Sequence, residues 1–209
     1  MCVLQVSEIY YSIQGESSFR GEPCIFIRLT GCDLRCSWCD TEYSFYGGKK
    51  MNISKILNEV SRFPCKLVEI TGGEPLLQKE TPNLSQSLLN EGYTVLLETG
   101  GHKDIQNIPK EVITVMDIKT PSSGEAEKNN WDNLKYLKPH DEIKFVIQDR
   151  NDFEWAKKTV QEKLKKIENL IHFSPVFKKM NPHTLSKWIL NENLPVKFGT
   201  QLHKELGLP

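Results

Sequence analysis

Short apolar runs alternate with segments whose apolar residues recur every three to four positions, from one end of the 209-residue chain to the other. That alternation predicts βα units and a parallel sheet. Strands are predicted over residues 8–13, 24–29, 66–70, 93–97, 112–116, 142–147, 170–173 and 195–198. Ile53, Ile56, Leu57 and Val60 share one face of a predicted helix that Asn52 can cap. A second helix, 84–91, carries Leu84, Leu88 and Leu89 and stops at Gly92, a residue suited to the left-handed turn that ends a helix. A third, 152–167, turns Phe153, Ala156, Val160, Leu164 and Ile167 inward and its lysines outward; a shorter one groups Leu185, Trp188 and Ile189. Helical signal is thin between 117 and 142, where Thr120 to Gly124 reads as a loop. A barrel made from these units is therefore abbreviated, and 1–209 reads as a single domain.

Charge narrows the partners. With 27 basic and 27 acidic residues the net charge is +0, so no global field draws in nucleic acid or an anionic membrane. No apolar run approaches the roughly 20 residues a bilayer requires, and the first residues lack the basic-then-apolar pattern of an export signal. A cytoplasmic protein is expected, with no membrane contact and no direct contact with nucleic acid. Six cysteines are too few for a disulfide-dense domain and suit a reducing compartment. Cys2, Cys24 and Cys65 read as bystanders.

The informative residues follow the strands, because parallel α/β folds gather their chemistry at the carboxyl ends. Cys32, Cys36 and Cys39, spaced C-x3-C-x2-C, follow strand 24–29. Thr71-Gly72-Gly73-Glu74-Pro75 follows 66–70, Glu98-Thr99-Gly100-Gly101 follows 93–97, and Asp117-Ile118-Lys119 follows 112–116. Three thiolates are one short of a closed zinc site or a four-cysteine cluster, which leaves one metal corner for a reactant. A zinc knuckle completed by a distant His or Cys is the alternative for the cysteines alone. Glu74 reads as a brace for its turn.

The cysteine spacing together with Gly-Gly-Glu-Pro resembles the radical S-adenosylmethionine (SAM) superfamily. That resemblance implies an incomplete (β/α) barrel with mostly parallel strands, and a 4Fe-4S cluster whose open iron chelates SAM and yields a 5′-deoxyadenosyl radical. Within the superfamily, Ile13-Gln14-Gly15-Glu16, Arg28, Cys39-Asp40-Thr41, Gln201-Leu202-His203-Lys204 and the terminal Gly207-Leu208-Pro209 resemble the 7-carboxy-7-deazaguanine synthase family over nearly the whole chain. The implied activity is a Mg2+-dependent carbon–nitrogen lyase reaction. It contracts the ring of 6-carboxy-5,6,7,8-tetrahydropterin to 7-carboxy-7-deazaguanine with loss of ammonia, on the way to the tRNA nucleosides queuosine or archaeosine. A homodimer served by a flavodoxin-like or ferredoxin-like electron donor is implied as well.

Position by position, the resemblance assigns Cys32, Cys36 and Cys39 to the cluster and Thr41 to Mg2+. It assigns Trp38, Asp40, Gly73, Asp117, Ile118, Lys119, Ser174, Pro175, Val176 and Phe177 to SAM. Ile13, Gln14, Gly15, Arg28, Thr71 and the terminal carboxylate of Pro209 are assigned to the pterin. Glu16 and Glu98 are candidate catalytic groups that can accept from the ring's N–H groups. The family often has Gly where this chain has Ser17, and Ser-Pro-Lys where it has Asp117-Ile118-Lys119. The rival within the superfamily is an activating enzyme that makes a glycyl radical on a partner protein; a zinc-dependent binding module is the rival outside it.

Overall fold

The computed structural model describes residues 3–209, so Cys2 lies outside the described residues. In chain order the strands are β1 (Val3–Ile13), β2 (Pro23–Leu29), β3 (Lys49–Asn52), β4 (Leu67–Gly72), β5 (Thr94–Thr99), β6 (Ile113–Ile118), β7 (Glu142–Ile147), β8 (Leu170–Pro175) and β9 (Lys197–Phe198). The helices are α1 (Ile53–Val60), α2 (Thr81–Asn90), α3 (Arg150–Glu162), α4 (Pro182–Asn191) and α5 (Leu202–Leu206). All nine strands form one sheet in the order β3-β1-β2-β4-β5-β6-β7-β8-β9. Pairing is parallel from β2 onward through β9, and the ends of the order do not pair with each other. This is an open, incomplete (β/α) barrel.

Every predicted strand and helix is present; β1 and α2 begin earlier than expected, at Val3 and Thr81, α5 was not expected, and further differences have a physical reason. The connection from β1 to β2 is too short for a crossover helix, so these strands pair antiparallel instead of forming a βα unit. β3 was not expected, since Lys49-Lys50-Met51-Asn52 has one buried side chain, Met51, and owes its strand form to pairing with the first half of β1. α3 ends at Glu162 rather than 167; Leu164 is nonetheless buried, in the turn that follows. Between β6 and β7 the chain makes only short 3-10 turns, Pro121–Ser123, Ala126–Lys128 and Trp131–Lys135, where a complete barrel would have a helix.

Strand alternation gives the sheet two unlike faces. Outward, Ile25, Ile27, Val68, Ile70, Val95, Leu97, Ile143 and Phe145 are fully buried beneath the helices, joined by Ile56, Leu84, Phe153 and Leu185. Inward, Cys24, Phe26, Leu67 and Leu96 plug the amino end. The inward positions nearer the carboxyl end are polar: Arg28, Thr71, Glu98, Asp117 and Lys144 all line a cavity there.

Buried Asp152 in the first turn of α3 ties these layers together. It accepts from the Ser122 amide and the Gln148 amide, each at 2.9 Å, and so fixes the loop on which the cysteine segment rests. Asp152→Ala is expected to leave both amides unpaired and lower stability by about 2–4 kcal/mol in denaturant unfolding.

Candidate active site

The cysteine loop is held from several sides. The Glu74 amide donates to Gly31 O at 2.8 Å, and the Ser37 amide and hydroxyl donate to Ser123 O at 3.0 Å and Ser122 O at 2.7 Å. The Arg35 amide donates to Glu125, and Asp33 contacts His102 Nε2 and Lys103 Nζ. A Cβ on Gly73 would sit 2.3 Å from Gly31 O and 2.8 Å from Cys32 Cβ, so only glycine lets the turn after β4 press against the loop.

Cys32, Cys36 and Cys39 line one wall of a cavity of about 500 Å³. Among the described residues, no three His, Cys, Asp or Glu side chains converge closely enough for a single metal ion. Burial raises the Cys32 thiol and pushes Cys36 up to about 11, against the pull of nearby Lys119, so these two thiols hold their protons until a metal displaces them. The donor set fits a cluster held by three cysteines.

The same cavity is lined by Trp38, Asp40, Thr41, Gly73, Asp117, Lys119, Val176 and Phe177, and by Gln14, Glu16, Arg28, Thr71, Glu98 and Pro209. Ile13, Gly15, Ile118 and Pro175 do not line it, and Ser174 lines a neighbouring cavity of about 230 Å³. Ile118 points outward into the core by strand alternation, which leaves its backbone alone for any contact. Gly15 has a steric role: a Cβ there would fall 1.9 Å from His203 Nδ1. Asp117, where the family often has Ser, pairs with Lys119 at 2.9 Å. Ser17, where the family often has Gly, takes φ 59°, the left-handed backbone that Gly adopts freely.

The carboxyl-terminal segment closes the gap that the short barrel leaves. The Leu202 amide donates to Gly15 O at 3.0 Å, Gln201 Nε2 to Glu16 Oε1 at 2.7 Å, and the Ser12 hydroxyl to Pro209 O at 3.0 Å. Lys204 pairs with Asp40 and, against the opposing effect of burial, holds that carboxyl below its usual range. Arg28 is partly spent, with Nε on Glu8 at 2.8 Å and Nη2 on the Tyr10 hydroxyl at 2.8 Å.

Glu69 and Lys144 also line the cavity and were not singled out from sequence. Their signal was present: each is a charged residue inside an otherwise apolar strand run, Leu67-Val68-Glu69-Ile70 and Ile143-Lys144-Phe145-Val146. Lys144 Nζ lies 2.8 Å from Glu16 Oε2 and 3.8 Å from Asp117 Oδ2, and also contacts Glu98 Oε1. Burial works against charge at Glu16, and Lys144 overcomes it, leaving that carboxyl below its usual range.

Comparison with known proteins matches this geometry. The profile of the radical SAM superfamily fits residues 26–118, the stretch holding the cysteine loop, the Gly-Gly-Glu-Pro turn and Asp117. A 7-carboxy-7-deazaguanine synthase of Koribacter versatilis is 46% identical, covering 99% of this chain and 98% of its own length. One of Chlorobaculum tepidum is 43% identical, covering 99% and 95%. The chain belongs to the 7-carboxy-7-deazaguanine synthase family. QueE from Escherichia coli superposes with a TM-score of 0.82 at 20% identity, covering 97% of this chain and 96% of that one, and so shares the fold. Membership in this radical SAM family implies a 4Fe-4S cluster and SAM, and favours neither the glycyl-radical activating reading nor the zinc module. Among the described residues no helix is long and apolar enough to cross a membrane.

Two outcomes are expected. Cys36→Ala loses the visible absorption and acid-labile sulfide of an anaerobically reconstituted sample, whereas Cys65→Ala, whose Sγ donates to Pro23 O at 3.0 Å away from the cavity, keeps both. Gly15→Ala displaces the His203 ring and raises KM by about tenfold or more in steady-state assays, with unchanged far-ultraviolet circular dichroism.

Proposed function

We propose that this protein converts 6-carboxy-5,6,7,8-tetrahydropterin to 7-carboxy-7-deazaguanine with release of ammonia. The observation that carries this reading is one cavity of about 500 Å³ lined both by the cysteine loop and by Gln14, Arg28, Thr71 and Pro209. That volume lies in the range of small-molecule sites, and a bicyclic pterin fits it better than a protein loop. The relatives that match end to end carry the name of this synthase.

In this reading Cys32, Cys36 and Cys39 hold the cluster. Trp38, Asp40, Gly73, Asp117, Ile118, Lys119 and the segment Ser174-Pro175-Val176-Phe177 hold SAM. When bound, the cluster and SAM would supply a 5′-deoxyadenosyl radical able to abstract a hydrogen atom from pterin C6 and, as 5′-deoxyadenosine, to return it to the rearranged ring. The chain's own residues bind and orient. Arg28 uses the part of its guanidinium not held by Glu8 and Tyr10 to pair with the substrate carboxylate, and the Pro209 carboxylate and Thr71 accept from ring N–H groups. Glu16, which Lys144 holds ionised against the effect of burial, and Glu98, which also contacts Lys144 and is the more exposed of the two, manage protons at the ring nitrogens.

Thr41 projects from the turn after Cys39, where its hydroxyl can join a Mg2+ ion whose other ligands are the substrate carboxylate and water. The metal would neutralise charge that Arg28, already paired with Glu8, covers only in part. Further parts of the reading are a cytoplasmic homodimer, a flavodoxin-like or ferredoxin-like reductant, and a product consumed in 7-deazapurine synthesis for tRNA. The enzyme itself makes no contact with nucleic acid.

Reconstituted protein given 6-carboxytetrahydropterin, SAM, reductant and Mg2+ should release 7-carboxy-7-deazaguanine without stoichiometric 5′-deoxyadenosine, and omitting Mg2+ should slow it. No product from protein with full iron and sulfide content refutes the assignment.

A further inference from the structure

Glu69 sits in the middle of β4, faces the cavity and is 5% exposed. The charged groups around it are already committed. Lys144, on β7, is shared among Glu16, Glu98 and Asp117. Arg28, on β2, is held by Glu8 and by the Tyr10 hydroxyl of β1. Among the described residues no cation reaches ion-pair distance of Glu69, while Glu98 on β5 and Glu16 beyond β1 add negative charge nearby. Cys24, beneath it on β2, is a buried neutral thiol.

Among the described residues the one hydrogen-bond partner of the Glu69 side chain is Gln14, whose Nε2 donates to Oε2. Gln14 is itself 3% exposed, and its amide oxygen accepts from the Glu16 amide at 3.0 Å. The side chain assigned to the pterin from sequence is therefore engaged inside the protein through both its oxygen and its nitrogen. The second oxygen of Glu69, Oε1, has no hydrogen-bond partner among the described residues. A buried carboxyl with carboxylates for neighbours keeps its proton, because burial strips most of its solvent and the nearby Lys144, which favours the charged form, is already shared among three other carboxylates. Burial first, then Glu98, raises its pKa well above the usual carboxylate range.

We propose that Glu69 is a substrate-recognition residue acting as an un-ionised acid, with Oε2 clamped by Gln14 and Oε1 donating its hydrogen to the ring carbonyl of the aminopyrimidinone. This rests on the pterin reading above and names the group that reads the ring. Gln14 becomes its positioning residue. A neutral Glu69 also avoids a further negative charge facing a substrate that carries its own carboxylate. An ionised Glu69 would choose the opposite partner, a pair of N–H donors.

The two cases separate on Glu69→Gln and Glu69→Ala. Glutamine keeps an oxygen for Gln14 and an N–H for the ring; alanine keeps neither. With reconstituted holoenzyme, KM for the pterin is expected to stay at least about tenfold lower in Glu69→Gln than in Glu69→Ala. Equal KM values in the two variants would overturn the proposal.

A second readout needs no substrate. A Glu69 that holds its proton in the folded state above its ordinary pKa of 4.5 gives the folded protein more bound protons than the unfolded chain. Its contribution to stability is then complete below that pH and is lost as pH rises toward the folded value. The melting temperature of Glu69→Gln minus that of wild type should grow from about pH 5 to about pH 8. A difference that is flat or shrinks over that interval overturns the inference. Wild-type protein that binds its cluster yet makes no product would instead remove the pterin reading, and the melting comparison would still decide the state of Glu69.

Discussion

Glu74, 1% exposed, accepts from the Leu76 amide at 2.9 Å, the Gly100 amide at 2.8 Å and the Thr99 hydroxyl, while its own amide donates to Gly31 O. One carboxylate thereby joins the turn after β4, the end of β5 and the root of the cysteine loop. Buried N–H groups left without an acceptor cost about 1–3 kcal/mol each, so the three loops are fixed together. The close approach at Gly73, where any side chain would strike Gly31 and Cys32, is the steric half of the same constraint. Everything said of the cluster and of SAM depends on this junction, since it sets where the three thiols stand relative to the cavity.

The cavity is expensive to build. Several carboxylates and two lysines sit within a sheet interior, where each isolated charge costs several kcal/mol. The lysine at 144 offsets part of that cost by serving three carboxylates at once, and Lys119 serves Asp117 again. The outer face, with its unbroken packing of Ile, Val, Leu and Phe against α1 to α4, carries the stability that the inner face gives up. At the amino end, Cys24, Phe26, Leu67 and Leu96 close the floor, so the cavity lies toward the end where the loops are.

Abbreviation of the barrel has a consequence for the mouth. With short 3-10 turns in place of a helix after β6 and no pairing between the sheet's ends, an open side remains. The last residues of the chain cover it through Gly15, Glu16, Asp40 and Ser12. Pro209 is delivered to the cavity by that cover, and a side chain on Gly15 would meet the His203 ring.

The strands and helices were legible because each depends on its own residues: the Ile53 to Val60 stripe and its Asn52 cap, or the β-branched runs of β4 and β6. The cysteine spacing and the Gly-Gly-Glu-Pro turn were legible for the same reason, since a loop's ligand geometry is set by near neighbours along the chain. Hidden from sequence were β3, whose lysine-rich strand exists only because β1 extends beside it, and the antiparallel start of the sheet. Hidden also was the fate of Gln14, whose amide oxygen is consumed by Glu16 and whose nitrogen is turned to Glu69, 55 positions away. Sequence determined which residue types could do the chemistry and which strand ends would carry them. Tertiary structure alone decided which charges share Lys144 and which is left without a counterion, because inter-strand register, and no local preference, sets the distances between groups far apart in the chain.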